Sequence, residues 1–580
     1  MSTAYVPQQP SPTPPAGAPP APPTPPYASE ATRLLCAGAY LDPAYRDRII
    51  EELHLNEQRI VAPSLGFDAA RVLAHALRAR RQELLWAGAV FCLWLVGLPL
   101  SGGLLVLLLW PSVALAIAPW IRGRAEQPPL YRVILAFLAR WWGRVTFAGL
   151  LIFTVVAAFS GGFDSDSSSG SYDPYSDYGG SSASDSLADF LLPGSKAWQA
   201  WATIVVLVLI GLCVHAQRSQ FSRALGAELS PQRFPDAAGD PAEQAENQRF
   251  QRLKQRIRLE QHAPLILYNE ARPFCGAGAA YDTWVLAVEL RPDEREELQP
   301  LSNRTILEKI RPLLEQLRIP AEFAGPAVRD RLRWLEIDEC VFLPAEGLLG
   351  RDQAPYTSQA FEEHRARAVE EGAEKRRHFL RIRVGGWEEE LVVTVFVRVH
   401  TQGRMLMLEV APHVLTPVRE DFKDTDRNAH RFRNNNVLGK AAGAAVLVPG
   451  SLGRSLAQLG RGLVYVWRLL TGGYAGALPD GPAVSVRELG AVPAGSLFQE
   501  MDAARYLKSV QDRVANGVRS ALADSGYETG EFVQKIVNIS SGDVNIGRVE
   551  GSTFAVGSHA SATTVSDGTA PKKGTDSRGQ

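Results

Sequence analysis

Of the 580 residues in this chain, those best suited to chemistry lie in Arg272-Pro-Phe-Cys-Gly-Ala-Gly278. The stretch combines a guanidinium, a thiol and two glycines, Gly276 and Gly278, whose backbone can approach an anion closely, and Asp282 follows four residues later. Glycine loops that hold phosphates join a strand to a helix, so that helix-start amides face the anion. Here the residues after Gly278 read as a strand, and no Gly-Lys-Ser or Gly-Lys-Thr follows, so a plain strand connection is the favoured reading of the spacing. Without a cationic partner visible in sequence, Cys275 is by default an inert thiol. Arg272, Cys275, Gly276, Gly278 and Asp282 form the candidate ligand loop, and no catalytic, cofactor-binding or metal-binding residue is assigned.

Other chemical signatures are missing from the sequence. It contains neither H-E-x-x-H nor G-x-S-x-G, and Cys36, Cys92, Cys213, Cys275 and Cys340 lack C-x-x-C spacing, which argues against a zinc site or a disulfide framework. Asp164 and Asp166 are spaced like the start of a calcium loop, but Gly170 falls at the seventh position and Tyr175 stands where a bidentate Glu should be. His75 sits beside an apolar helix face and reads as a packed or interfacial imidazole.

A second set of charges is cationic. Lys440, Arg454, Arg461 and Arg468 recur at multiples of seven residues within Val437 to Leu478, a stretch whose charges are all positive until Asp480. On a helix the three arginines form one stripe, while Leu456, Leu459, Leu463, Val466, Trp467 and Leu470 cover much of the remaining surface. A basic stripe beside a broad apolar face describes a helix in the surface of a membrane leaflet, and these four residues are candidate membrane-surface contacts. A helix packed on the soluble part with its arginines exposed is the competing reading.

The elements that must carry these groups are set by Leu84 to Trp120, which has no charged side chain. Roughly 20 apolar residues already match the hydrocarbon thickness of a bilayer. Pro99, Ser101, Gly102 and Gly103 break the run, and Arg78, Arg80, Arg81, Arg122 and Arg124 bracket it, so a helical hairpin keeps both basic flanks on the cytoplasmic side. A basic loop from Arg122 to Arg144 should lead to a third span over Val145–Phe163, and a fourth is expected over Trp198–Val214. The acidic Ser/Gly segment 164–197 belongs outside. The reading is four spans with both termini cytoplasmic, in the plasma membrane. No span carries an ionisable residue near its centre, which counts against a transporter.

The flanks are soluble. Residues 1–28 are Pro-rich and expected to be disordered. Ser29 should cap a helix stopped by Gly38, Asp42-Pro43 should start a second, and Asp68 a third that ends at Arg78–Arg81. Residues 247–435 read as an α+β domain, with an antiparallel meander over His378–Val384, Leu391–His400 and Arg404–Val410. In its middle strand Leu391, Val393, Val395, Val397 and Val399 share one face. Residues 485–536 read as helices, and 537–562 either as short β-prone pieces such as Val537-Asn-Ile539, suited to stacking between copies of the chain, or equally as a disordered tail; residues 563–580 are expected to be disordered. The formal net charge of -1 gives no whole-chain attraction to nucleic acid, and none is expected as a partner.

Arg272–Gly278, Ser485-Val-Arg-Glu488, Phe498-Gln-Glu-Met-Asp502 and Phe554-Ala-Val-Gly557 together resemble a group of actinobacterial multi-pass membrane proteins, over about Ala31 to Ala562. The resemblance implies a bacterial plasma membrane and carries no activity, cofactor or catalytic residue with it. The expected function is a non-enzymatic anchor or scaffold, with lipid as one partner and a protein or its own copies as the other. A membrane-bound enzyme or sensor at Arg272–Gly278 and a transport component are the alternatives.

Overall fold

The computed structural model describes residues 24–540 apart from 64–65, 124–127, 160–196, 245–246, 319–331, 333–334, 372–374, 386–389 and 473–475. The Pro-rich stretch up to residue 23, nearly all of the acidic loop, Arg124 and the β-prone pieces after Ser540 therefore lie outside the described residues.

In chain order the main elements are α1 (Glu30–Leu41), α2 (Pro43–Ile50), α3 (Ala69–Leu100), α4 (Leu104–Arg122), α5 (Leu130–Phe159), α6 (Ala197–Arg223) and α7 (Gln248–His262). There follow β1 (Leu265–Tyr268), β2 (Ala279–Ala280), β3 (Trp284–Glu289), α8 (Asn303–Glu315), β4 (Glu336–Pro344) and α9 (Ser358–Glu370). The meander is β5 (Arg377–Gly385), β6 (Val392–Gln402) and β7 (Met405–Leu415). The chain continues through α10 (Thr425–Asn434), α11 (Val437–Ala445), α12 (Ser451–Thr471), α13 (Leu497–Asp524) and α14 (Gly530–Ser540).

The caps behave as short polar side chains should. Ser29, Asp42 and Asp68 each accept from backbone amides two or three residues on, opening α1, α2 and α3. Gly38, however, does not stop α1. The helix runs on to Leu41, and Gly38 is the point where the ring of Phe422 packs against bare backbone, so its missing side chain serves packing. Arg78–Arg81 likewise end nothing, because α3 continues as one helix into the uncharged run. Arg132, Arg140 and Arg144 lie inside α5, which starts earlier than the apolar composition alone implied.

Helices α3, α4, α5 and α6 are each long and apolar enough to cross a membrane, which implies a lipid bilayer environment. The turn between α3 and α4 uses Gly102 and Gly103 at φ 56° and 102°, a left-handed pair that a side chain would strain. In the bundle α3 lies along α6, α6 along α5 and α5 along α4. Helices α3 and α4 touch each other little, and α12 lies against both of them.

The C-terminal part is α+β. Its sheet runs β1-β4-β5-β6-β7-β2, with β3 also on β7; β1 pairs with β4 in parallel and the rest is antiparallel, so the meander is the centre of a mixed sheet. One face buries Val393, Val395, Val397 and Val399 beneath α8 and α13. The other buries Phe342, Phe379 and Phe396. Gly517 of α13 sits against Ile310 of α8, where a side chain would have to displace backbone. Val537–Ile539, read as a β-prone piece from sequence, forms the end of α14.

Candidate functional site

The glycine loop covers the aromatic face of the sheet. Phe274 reaches into it, with ring centroids 4.8 Å from Phe396 and 4.6 Å from His413. Gly276 and Gly278, at φ 101° and 100°, turn their amides toward one oxygen of Glu488, at 2.8 and 3.0 Å. Arg272 donates to the other oxygen at 3.1 Å and to the Ala483 carbonyl at 2.9 Å. The arrangement is an anion cradle already filled by a carboxylate of the same chain. It joins two stretches that stood out in sequence, Arg272–Gly278 and Ser485–Glu488. The cavity beside Cys275 amounts to about 10 Å³, barely one water. Burial, with Glu488 next in effect, pushes the Cys275 thiol up to about 12, so it stays protonated near neutrality. Asp282 does not join the cradle; it is exposed in the turn before β3, at φ 43°.

The cationic stripe is distributed along a helical wedge. Helices α11 and α12 meet at a turn that brings Val448 and Leu452 into one core with Val90, Trp94, Leu105, Leu108 and Ile210, α11 lying against α6 and α12 against α3 and α4. Trp94 donates to the Ser451 hydroxyl at 3.3 Å, while Gly462, eleven residues on, meets Leu84. Helix α12 thus runs antiparallel to α3, and its tip lies about 15 Å along α3 from Leu84, inside the uncharged run. Small residues permit this approach: a side chain at Gly453 would collide with Ala116 of α4.

Two arginines of the stripe meet acids of α2 and the turn after it, Arg461–Asp47 at 3.7 Å and Arg468–Glu51 at 2.9 Å. Arg454 donates to the carbonyls of Leu447 and Gly450 at the tip, and Lys440 to that of Arg433 at 2.9 Å. Glu83, one residue before the uncharged run, binds Arg46 and accepts from Gln458 at 2.6 Å.

Where α3, α7 and α12 converge, at the base of the uncharged run, they leave a recess of about 900 Å³. Its walls carry Arg80, Arg81, Arg249, Arg252 and Arg256 against a single carboxylate, Glu57, together with Leu77, Leu84, Leu253 and Leu469. Arg80 lies 4.4 Å from the Tyr465 ring centre and pairs with Asp47 at 3.1 Å. Arg249 pairs with Glu57 at 2.8 Å and Arg256 with Asp352 at 2.9 Å. Neither Arg81 nor Arg252 has an ion-pair or hydrogen-bond partner among the described residues, and the buried Nδ1 of His54 is also unpartnered. Burial holds His54 below its ordinary value, so it is neutral near pH 7.

Sequence reading singled out Arg80 and Arg81 as membrane flanks but passed over the arginines of α7. Their spacing, 249, 252 and 256, places them on one helical face, a visible signal whose opposing wall lies some 170 residues away in sequence.

Deeper in the soluble base, His75 is fully buried between Tyr40 and Asp240, its ring nitrogens 3.3 and 2.9 Å from their oxygens. Arg71 reaches the same Asp240 oxygen at 2.8 Å, which makes the cluster a satisfied brace between α3 and the segment before α7.

Fold and site together define a four-span membrane protein with an attached α+β domain. Within it, residues 283–553 match an AbeC-like domain, a stretch that takes in the sheet from β3 onward and includes the α11–α12 wedge. No curated protein and no solved structure matches the chain.

Proposed function

We propose that this is an integral plasma-membrane protein that acts as a non-enzymatic anchor or scaffold, holding an α+β interaction domain rigidly against the cytoplasmic face of the bilayer. The observation that carries the reading is the α11–α12 wedge. Part of the domain-bearing chain is packed between α3, α4 and α6, so the domain and the spans share a core instead of being joined by a tether. The distribution of arginines supports the orientation. Arg78, Arg80 and Arg81 on α3, Arg122 on α4, Arg132 in the first turn of α5, and Arg218 and Arg223 on α6 lie toward the end of the bundle nearest the domain, whereas Arg144 lies deeper, beside Gly143, which meets Pro111 and Leu115 in the middle of α4. Both termini are then cytoplasmic. The filled glycine cradle and the protonated Cys275 favour a structural role over catalysis at that loop.

Labelling of intact cells with a membrane-impermeant maleimide tests the orientation. Ser182→Cys, in the acidic loop, should label at once, and Glu363→Cys, exposed on α9, only after permeabilisation. The reverse pattern overturns the reading. The partner is a protein or a second copy engaged through the C-terminal residues. Deleting 541–562 should lower the mass of the detergent-solubilised assembly, and an unchanged mass removes self-association through the tail.

A further inference from the structure

We propose that the recess between α3, α7 and α12 is a binding site for a phosphate-bearing anion, of the kind carried by an acidic phospholipid headgroup. Five guanidinium groups line it with one carboxylate, and acids already engage three of them: Asp47 with Arg80, Glu57 with Arg249 and Asp352 with Arg256. Arg81 and Arg252 are left over, one from each of two facing walls. A volume of about 900 Å³ holds a headgroup, and planar guanidinium forks match phosphate oxygens with paired hydrogen bonds. His54 also lines the recess, with its Nδ1 buried and without a hydrogen-bond partner among the described residues.

The position favours a lipid as the source of the phosphate. Leu84, the first residue of the uncharged run, and Leu469 of α12 belong to the lining, so the recess opens where an acyl chain would enter the bilayer beside α3. Basic residues at this level ordinarily meet the leaflet as a diffuse field. Here they converge on a concavity with apolar walls, which selects a headgroup together with the start of its chains. The site holds whether the attached domain serves as a scaffold or otherwise.

The test uses the full chain in detergent, stripped of lipid, with native mass spectrometry and thermal unfolding as readouts. The probes are phosphatidylglycerol, phosphatidylcholine and glycerol phosphate. Wild type should retain phosphatidylglycerol in preference to phosphatidylcholine. The double variant Arg81→Gln/Arg252→Gln should bind it about a hundredfold more weakly, since each of the two lost charge-assisted contacts is worth about a factor of ten. Neither arginine has a partner to lose among the described residues, so the unfolding temperature of the lipid-free variant should match wild type. Arg304→Gln, on the exposed face of α8, is the control for loss of charge at a site away from the recess. Glycerol phosphate binding that is lost in the same double variant makes the ligand a soluble phosphate ester and still supports the site. Equal retention of the two lipids, or equal losses in the double variant and in Arg304→Gln, overturns it.

Discussion

The glycine loop and the arginine recess invert what their sequences suggest. The loop has the better credentials on paper, with glycines, a thiol and an arginine within seven residues, yet Glu488 occupies its amides and almost no space remains. The recess is built from arginines that read singly as membrane flanks and a charged helix face, yet they converge on an open volume, and two of them lack a partner among the described residues. Donors are legible in a sequence, but whether the chain has already used them is decided by segments far away. Glu488 is more than 200 residues from the loop it fills.

The largest effect should come from emptying the filled site. Glu488→Ala leaves the Gly276 and Gly278 amides and the Arg272 guanidinium without their acceptor. It should destabilise the protein by about 3 kcal/mol, read as a lowered unfolding temperature in detergent. Glu488→Gln keeps an oxygen for the amides, and about half that loss is expected. If the loop is a true anion cradle, sulfate or phosphate should partly restore the Ala variant and leave wild type unchanged. A Glu488→Ala protein as stable as wild type would remove the contrast between the two regions.

Next in size is the wedge, which forms one wall of the recess. Gly453→Leu forces a side chain into the backbone of Ala116 and should cost about 2–3 kcal/mol, whereas Gly460→Leu on the same helix meets open space and should stay within about 0.5 kcal/mol. Equal effects would mean that α12 is not seated between α3 and α4.

How much of this was readable divides along physical lines. The uncharged run and its glycine break gave the hairpin, because a bilayer admits few alternatives. The alternation in β6 gave the meander, because one face had to be apolar. The caps at Ser29, Asp42 and Asp68 were legible because capping is local. Gly38 misled because a glycine needed for close packing looks the same in sequence as one needed for chain reversal. The wedge was hidden for a related reason. Its arginines suggested water or headgroups, but Arg461 and Arg468 are met by Asp47 and Glu51, and its glycines admit neighbouring spans. Only part of the recess was visible, since its walls come from three segments with no common motif.

A third cationic cluster gives an intermediate case with a pH signature. Glu339 on β4 receives His378 at 3.1 Å, Arg365 at 2.8 Å and Arg311 at 3.2 Å. The hydrogen bond from His378, and then that from Arg365, hold its carboxyl down to about 2, against partial burial. A depressed carboxylate contributes stability above its unfolded value of about 4.5 and loses it as pH falls from there toward 2. Allowing for solvent screening, the contribution is about 1 kcal/mol, and Glu339→Gln should flatten the slope of unfolding temperature over that window. An unchanged slope would show that this carboxylate is not the one that titrates.

The smallest expected effect is the sharpest test of the comparison, because it sets one arginine from each region side by side. Arg272 holds a carboxylate and a carbonyl, and Arg272→Gln should cost about 1 kcal/mol, reduced from a buried pair by its half-exposed side chain. Among the described residues Arg252 holds neither, and Arg252→Gln should leave stability within about 0.5 kcal/mol in lipid-free detergent. Adding phosphatidylglycerol should separate wild type from Arg252→Gln, because only an arginine waiting for a ligand gains from one, and should shift Arg272→Gln as much as wild type. If both variants respond alike to the lipid, the recess is no more available than the loop.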